Sequence, residues 1–484
     1  MGFSTLDTVI VILYLAAIAL FGVFQGGKQR SANDYFLGKD SIPWWVVCFS
    51  IVAAETSTLT FISIPGLAYL TNLNFLQVTL GYLLGRIAVS YLFLPAYATG
   101  ELSTAYAFLE RRFGAKTRSF ASIVFLFTRI AADGVRLFAT AIPLKFVLGV
   151  DYPVAIIILA VVALAYTSMG GVRGVIWVDA VQMVIYIGGA ILAGAVLIGS
   201  HEGGWAGITQ LAWEAGKFDF IHLGFGSDFW TTPYTLIAGI LGGGFLSMAS
   251  HGTDQLIVQR VLATKSVRAG RKALIGSGVI IVFQFALFLL VGLLLYGHYG
   301  GASVAELGLT KADEIFPRFI VEGLPSGVSG IIVAGLMAAA LSTLAGSISS
   351  MASSTVMDLY KPRAGAAFTE EKGLRLSRLV TVLWAALLVI SALFFMNTAQ
   401  TVVELALSIA SFTYGGLLGT FLLGVLFKKS TQEDALAGFV GGILVMVTVI
   451  SLHVVAWTWY TLIGVLATVL IGWVLGMLNV GKKQ

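Results

Sequence analysis

Apolar residues run along this chain in long blocks separated by short polar segments, and the blocks are too uniformly apolar to be one face of a soluble helix or strand. Thirteen read as candidate membrane spans, at roughly 6–25, 43–70, 74–99, 119–149, 152–171, 175–200, 233–252, 273–297, 326–358, 379–398, 401–427, 434–456 and 458–479. Each meets the roughly 20 residues that a helix needs to cross a bilayer. The first block is expected to stay in the mature chain: residues 1–8 carry Asp7 and no basic residue, unlike the start of a secretory signal. The longest polar stretches, about 201–232 and 298–325, are too short to form soluble domains. The pattern predicts an all-α polytopic membrane protein, one integral membrane domain over 1–484.

Composition agrees. The 484 residues are 58% hydrophobic and 11% charged, which excludes disordered, collagenous and disulfide-stapled classes; the lone Cys48 has no intrachain partner. The net charge of +5 reads as topology rather than nucleic-acid binding. With thirteen spans and the N-terminus outside, inner segments hold 22 of the 29 lysines and arginines, including Lys39, the Arg111 to Arg118 cluster, and Lys482 and Lys483 at the inner C-terminus. Outer loops hold only Lys217, Lys311 and Arg318, while Arg86, Arg129, Arg136 and Lys145 fall within spans.

Polar groups inside spans carry the functional information, because lipid penalises them. The second span contains Glu55, Thr56, Ser57, Thr58 and Thr60; these compete for backbone hydrogen bonds and favour an interrupted helix whose free carbonyls can coordinate a cation. The seventh contains Gly242, Gly243 and Gly244 before Phe245 and Ser247, marking a break or a close helix contact. These spans lie five apart, so spans two to six and seven to eleven can form two oppositely oriented sets, the pattern of an inverted-repeat transporter with a midplane site. Packing by small residues is the competing account. The ninth span places Ser342 beside Thr343 among small residues; their hydroxyls suit a hard monovalent cation, or bond back to the carbonyl four residues earlier.

Five further segments are shared with a known family. Asn33-Asp-Tyr-Phe-Leu-Gly38, Thr60-Phe-Ile-Ser-Ile-Pro-Gly66, Thr104-Ala-Tyr-Ala-Phe-Leu-Glu-Arg-Arg-Phe-Gly114, the stretch from Tyr166 through Met169-Gly-Gly-Val-Arg-Gly174 to Gln182, and Thr253-Asp-Gln-Leu-Ile-Val-Gln-Arg260 occur in the order typical of it. The chain resembles the sodium:solute symporter family, whose members carry sugars, sialic acid, proline and monocarboxylates with sodium. The resemblance implies a five-plus-five inverted repeat of the amino-acid-transporter type: a peripheral first helix at 6–25, repeats at 43–200 and 233–427, and two peripheral helices within 434–479. It implies sodium-driven solute uptake by alternating access across the cytoplasmic membrane, with the bilayer, sodium and a small solute as partners, no nucleic acid and no enzymatic activity.

Carried over by position, the family's main sodium site falls on the carbonyls of Ala53, Thr56 and Ala339 and the hydroxyls of Ser342 and Thr343. Asp179 matches an aspartate linked to sodium coupling or release; pairing with a nearby basic residue is the alternative. Members with a second sodium site have two further hydroxyls where this chain has Ala345 and Gly346, which implies one sodium per cycle. The solute is expected near Glu55, Ser57 and Thr60, with Thr79, Phe245 and Ser247 lining its pocket.

Arg129, Asp133 and Arg136 share one helix face, so Asp133 can neutralise either arginine. Alternatively Arg136 pairs with Glu55 or clamps an anionic solute. The arginine of sialic acid carriers aligns with Ala132, so their specificity is not transferred. An unpaired Glu55 would disfavour acids and favour hydroxyl-rich or amine-bearing solutes, a neutral sugar could be held by Glu55 and Asp133 as acceptors and Arg136 as donor, and a protonatable Glu55 could couple transport to protons. For Arg86, inside the third span, the sequence offers no role beyond a partner on a neighbouring helix. The five histidines show no metal-ligand spacing and Cys48 no catalytic partner, against a hydrolase. A recognisable channel filter is missing, and a transporter-like sensor would need a separate signalling partner.

Overall fold

The computed structural model describes residues 4–38, 42–98, 102–396 and 402–480; Lys39, Lys482 and Lys483 lie outside them. The described chain is almost entirely helical. Its principal helices are α1 (Thr5–Gly26), α2 (Trp44–Glu55), α3 (Thr58–Leu70), α4 (Leu76–Leu92), α5 (Ala115–Leu148), α6 (Tyr152–Ser200), α7 (Gly243–Gly252), α8 (Val267–His298), α9 (Val328–Ser353), α10 (Glu370–Phe395), α11 (Val402–Leu426), α12 (Gln432–Leu452) and α13 (Tyr460–Val480). Among the described residues eight helices are long and apolar enough to cross a membrane, and the pair α2 and α3, bent by 67°, supplies a ninth such crossing.

The second predicted span is broken where its polar cluster lies. Thr56 and Ser57 leave helical geometry, the Thr56 amide still bonds Val52 O, and the Ser57 hydroxyl caps α3 by accepting from the Thr60 amide at 3.4 Å. A serine immediately before a helix satisfies an amide that has no partner within it. The two spans predicted at 152–171 and 175–200 appear as the 49-residue α6, with non-helical torsions at Gly171. A straight helix of that length would reach about 74 Å, more than twice the bilayer's apolar thickness. The positive φ of Gly171, 58°, provides the kink that a side chain would resist.

The triple glycine is a packing device rather than a gap. The chain passes through a π-helical turn at Ala238–Gly242 directly into α7, and a Cβ on Gly81 of α4 would stand 2.3 Å from the Gly239 carbonyl oxygen. Without side chains the two backbones approach closely enough for dispersion to hold them where lipid gives no hydrophobic drive. The same device joins α1 to α6, where a Cβ on Gly26 would overlap Gly170. Helix α9 is buried along nearly its whole length. Asp7 of α1 accepts the amides of Gly327 and Gly330 at 2.7 and 2.8 Å, placing a carboxylate at the electropositive start of α9.

Candidate functional site

The break between α2 and α3 faces α9. The Thr343 hydroxyl lies 3.3 Å from Ala339 O, one turn back on its own helix, and 3.5 Å from Ala54 O on α2. Ala53, Thr56, Ala339, Ser342 and Thr343 are all buried. The Thr56 hydroxyl donates to Val52 O at 2.9 Å and receives Gln284 Nε2 at 2.7 Å, with Tyr186 OH at 3.3 Å. Carbonyl and hydroxyl oxygens from two helices thus converge at an interrupted backbone, a donor set suited to a hard cation.

Asp179 of α6 adjoins this set. It accepts from Ser342 at 2.7 Å, Ser50 at 2.6 Å and Arg260 at 2.8 Å, so the pairing with a basic residue is present and the carboxylate also touches a hydroxyl of the candidate cation set. Arg260, on the short helix Gln255–Leu262, is itself buried. Its guanidinium lies against Gly346, where a Cβ would stand 2.5 Å from Nη2.

A second charged group surrounds the end of α2. Glu55 forms an ion pair with Arg86 of α4, whose side chain is 0% exposed while that of Glu55 is 20% exposed. The other end of the guanidinium donates to Ser277 of α8 at 2.9 Å. His251 Nε2 lies 3.6 Å from Glu55 Oε2. Removing either member of such a buried pair leaves an uncompensated charge, at a cost of about 3–5 kcal/mol.

The third group centres on α5. Asp133 accepts from Arg136 at 2.8 Å, Arg129 at 3.3 Å and Ser347 of α9 at 2.5 Å. Arg129 also pairs with Asp254, which accepts from Tyr414 OH at 2.9 Å. Four carboxylates, Glu55, Asp133, Asp179 and Asp254, and four guanidiniums, Arg86, Arg129, Arg136 and Arg260, therefore occupy the region around the break.

Glu55 and Arg136 both border a cavity of about 480 Å³ that extends to Lys311 and Asp313 in the loop before α9, between walls including Phe75, Tyr82, Tyr234, Phe285 and Trp457. A second cavity of about 150 Å³ shares Glu55, Tyr82, Arg136 and Trp457 and adds Ser247 and His251. A third, of about 20 Å³, lies between Thr343, Ser57, Asp133 and Arg136, enough for roughly one water.

The sodium:solute symporter family model matches residues 35–442, most of the chain. The chain belongs to the sodium:solute symporter family. The symporter is a multi-pass membrane protein that couples sodium to the transport of small solutes, and not an enzyme; a plasma-membrane location is typical of the family. It is 29% identical to the sodium/sialic acid symporter NanT of Aliivibrio fischeri over 98% of this chain and 93% of that one. It is 28% identical to the sodium/glucose cotransporter of Vibrio parahaemolyticus over 91% of this chain and 84% of that one. A solved substrate-bound, outward-open sodium-coupled sialic acid symporter superposes with a TM-score of 0.89 at 26% identity, covering 98% of both chains. Mhp1, a nucleobase-cation-symport-1 family transporter, superposes at 0.56 with 14% identity, over 92% of this chain and 94% of that one, which shows likeness of fold.

Within the symporter, Glu55, Ser57, Thr60 and Arg136 border the largest of these cavities and Ser247 the second, while Asp133 borders the water-sized one. Thr79 is brought elsewhere: it is fully buried, its hydroxyl donates to Leu76 O at 2.8 Å, and it lines none of the three cavities. Phe245 packs against the core and is likewise outside their linings. Of the alternatives left open by the sequence, Glu55 is paired, with Arg86 rather than Arg136, and Arg136 is engaged by Asp133 on its own helix. The aromatic wall and His251 carried no spacing signal. Arg86 carried one, as a guanidinium within an apolar span.

Proposed function

We propose that the symporter imports a small polar organic solute, of sugar, carboxylate or amino-acid-like type, with one sodium ion per cycle by alternating access. In this reading the sodium ligands are the carbonyls of Ala53, Thr56 and Ala339 and the hydroxyls of Ser342 and Thr343. The observation that carries it is the approach of the Thr343 hydroxyl to Ala54 O, the α2 carbonyl between the proposed ligands Ala53 and Thr56, and to Ala339 O of its own helix. Asp179, by accepting the hydrogen bond of the Ser342 hydroxyl, leaves that hydroxyl's lone pairs for the cation and serves as the coupling residue.

A single sodium is favoured by Ala345 and Gly346, which supply no side-chain oxygen, and by the Arg260 guanidinium held against Gly346. A tethered cation there electrostatically opposes a second ion. Sodium rather than proton coupling is favoured at Glu55 because Arg86 already accompanies the carboxylate.

The solute contacts in this reading are Glu55, Ser57, Thr60, Asp133, Arg136 and Ser247, with Thr79 and Phe245 supporting the wall from behind. Glu55 and Arg136 present opposite charges to one aromatic-walled cavity, each backed by a buried counter-charge. That balance favours a solute without net charge, neutral or zwitterionic, over a simple anion. The full topology is thirteen spans with the N-terminus outside, repeats at 43–200 and 233–427, and peripheral helices at 6–25 and within 434–479; the distribution of basic residues supports it.

The experiment is uptake into proteoliposomes of radiolabelled sugars, carboxylates and amino acids, with and without an inward sodium gradient. Sodium-dependent accumulation and counterflow of one panel member are expected, lost in Thr343→Ala. Sodium-dependent accumulation unchanged in that variant would contradict the site.

A further inference from the structure

Glu55 borders the cavity, and the connections of its pair with Arg86 run toward the helix break. Glu55 is the last residue of α2, and the next residue is Thr56. One guanidinium nitrogen of Arg86 is on Glu55, and another donates to Ser277 of α8 at 2.9 Å. The Ser277 hydroxyl in turn donates to Leu274 O at 2.7 Å. Gln284, seven residues further along α8, donates to the Thr56 hydroxyl at 2.7 Å and accepts from Tyr186 OH at 2.9 Å. Positions seven apart share a helix face after two turns. One face of α8 therefore grips consecutive residues of the break, Glu55 through Arg86 and Thr56 directly.

The Arg86 stem has little freedom to let go. The side chain is fully buried, and a Cβ on Gly278 of α8 would stand 3.1 Å from Arg86 Cδ. On the helix that carries Arg86, a Cβ on Gly81 would strike the Gly239 carbonyl, and one on Gly85 would stand 2.3 Å from Gly244 O. That helix is thus seated against a close-packed neighbour. Two arms, the Gln284 side chain carried by α8 and the Arg86 side chain of α4 bonded to Ser277 of α8, set where the end of α2 lies. The carbonyl beside Glu55, Ala54 O, is the α2 atom that the Thr343 hydroxyl reaches.

We infer that Arg86 is a positioning residue for sodium: acting through Glu55 and Ser277, it holds the broken end of α2 so that its carbonyls face Ser342 and Thr343. It does not touch the ion. The inference rests on the sodium site proposed above, and its sign separates it from a purely electrostatic role. If Arg86 acted only through its field, removing a cation near the site would strengthen sodium binding. If it positions the carbonyls, removing it weakens sodium binding despite the gain in negative charge.

Sodium itself is the probe, titrated against the full-length protein in detergent at constant ionic strength, with tryptophan fluorescence and thermal stabilisation as readouts and no solute present. Arg86→Gln is expected to raise the half-saturating sodium concentration about ten-fold or more, the usual scale for losing a group that orients metal ligands. Arg86→Lys keeps the charge but lacks the planar fork that spans Glu55 and Ser277, and is expected to raise it about three-fold. The lysine variant decides the matter if the glutamine variant does not elute as a folded species. Half-saturation equal to or below the parent's in the folded variants would overturn the inference. Thr343→Ala is titrated alongside: a parent-like curve there contradicts the sodium site itself, whatever the Arg86 variants do.

Discussion

Ser342 donates its hydroxyl proton to Asp179 at 2.7 Å, although the two residues stand 163 positions apart in the chain. A hydroxyl has one proton and two lone pairs. With the proton committed to a buried carboxylate, both lone pairs are free for a cation, and the same carboxylate is balanced by Arg260 on its other side. A residue of the proposed sodium site is thereby tied to the charge pair that joins α6 to the helix Gln255–Leu262.

That tie predicts coupled losses. Asp179→Asn leaves Arg260 buried without its countercharge and is expected to lower stability in detergent by about 3 kcal/mol. The double variant Asp179→Asn/Arg260→Gln is expected to recover part of it, because no unpaired charge remains. Thermal unfolding of the two singles and the double measures the coupling; strictly additive losses would contradict an interacting pair.

Gly346 supplies a second prediction. A Cβ there would come within 2.5 Å of Arg260 Nη2, so Gly346→Ala is expected to displace the guanidinium and cost about 1–3 kcal/mol. Gly188→Ala on α6, where a Cβ meets nothing within 4 Å, is the control and is expected to leave stability unchanged or raise it by about 0.4–1 kcal/mol. Unfolding midpoints of the two variants in one detergent test the difference.

Trp457 borders both larger cavities and lies outside the lining of the water-sized one beside Thr343. Trp457→Ala is expected to raise the solute KM about ten-fold through lost aromatic contact, while the sodium half-saturation measured without solute stays at the parent value. Uptake kinetics together with a solute-free sodium titration check it, and a shift of both constants would show that this wall also supports the ion site.

The break in the second span was legible in the sequence because its cause is local: Glu55, Thr56, Ser57 and Thr60 offer hydrogen bonds that compete with the helix, and Ser57 is placed to cap α3. The Asp133 pairing with Arg129 and Arg136 was legible for the same reason, since three- and four-residue spacings meet on one helix face. The partners of Glu55 and Arg129 were not. Arg86 and Asp254 reach them from other parts of the chain, and the spacing within one helix does not encode which neighbour faces it. Thr79 shows the converse: a hydroxyl in an apolar span invites a ligand, yet here it satisfies itself on Leu76 O. The glycine triplet signalled a special backbone, but only the neighbouring Gly81 and Val78 distinguish close packing from a gap.

Sodium is proposed to bind between the broken α2–α3 segment and α9 through Thr343. The most direct test is equilibrium binding of radiolabelled sodium to the purified protein, parent against Thr343→Ala, competed with unlabelled sodium and with potassium. Saturable, potassium-insensitive binding to the parent is expected, with affinity weakened about ten-fold or more in the variant. Binding of equal affinity to both proteins would contradict it.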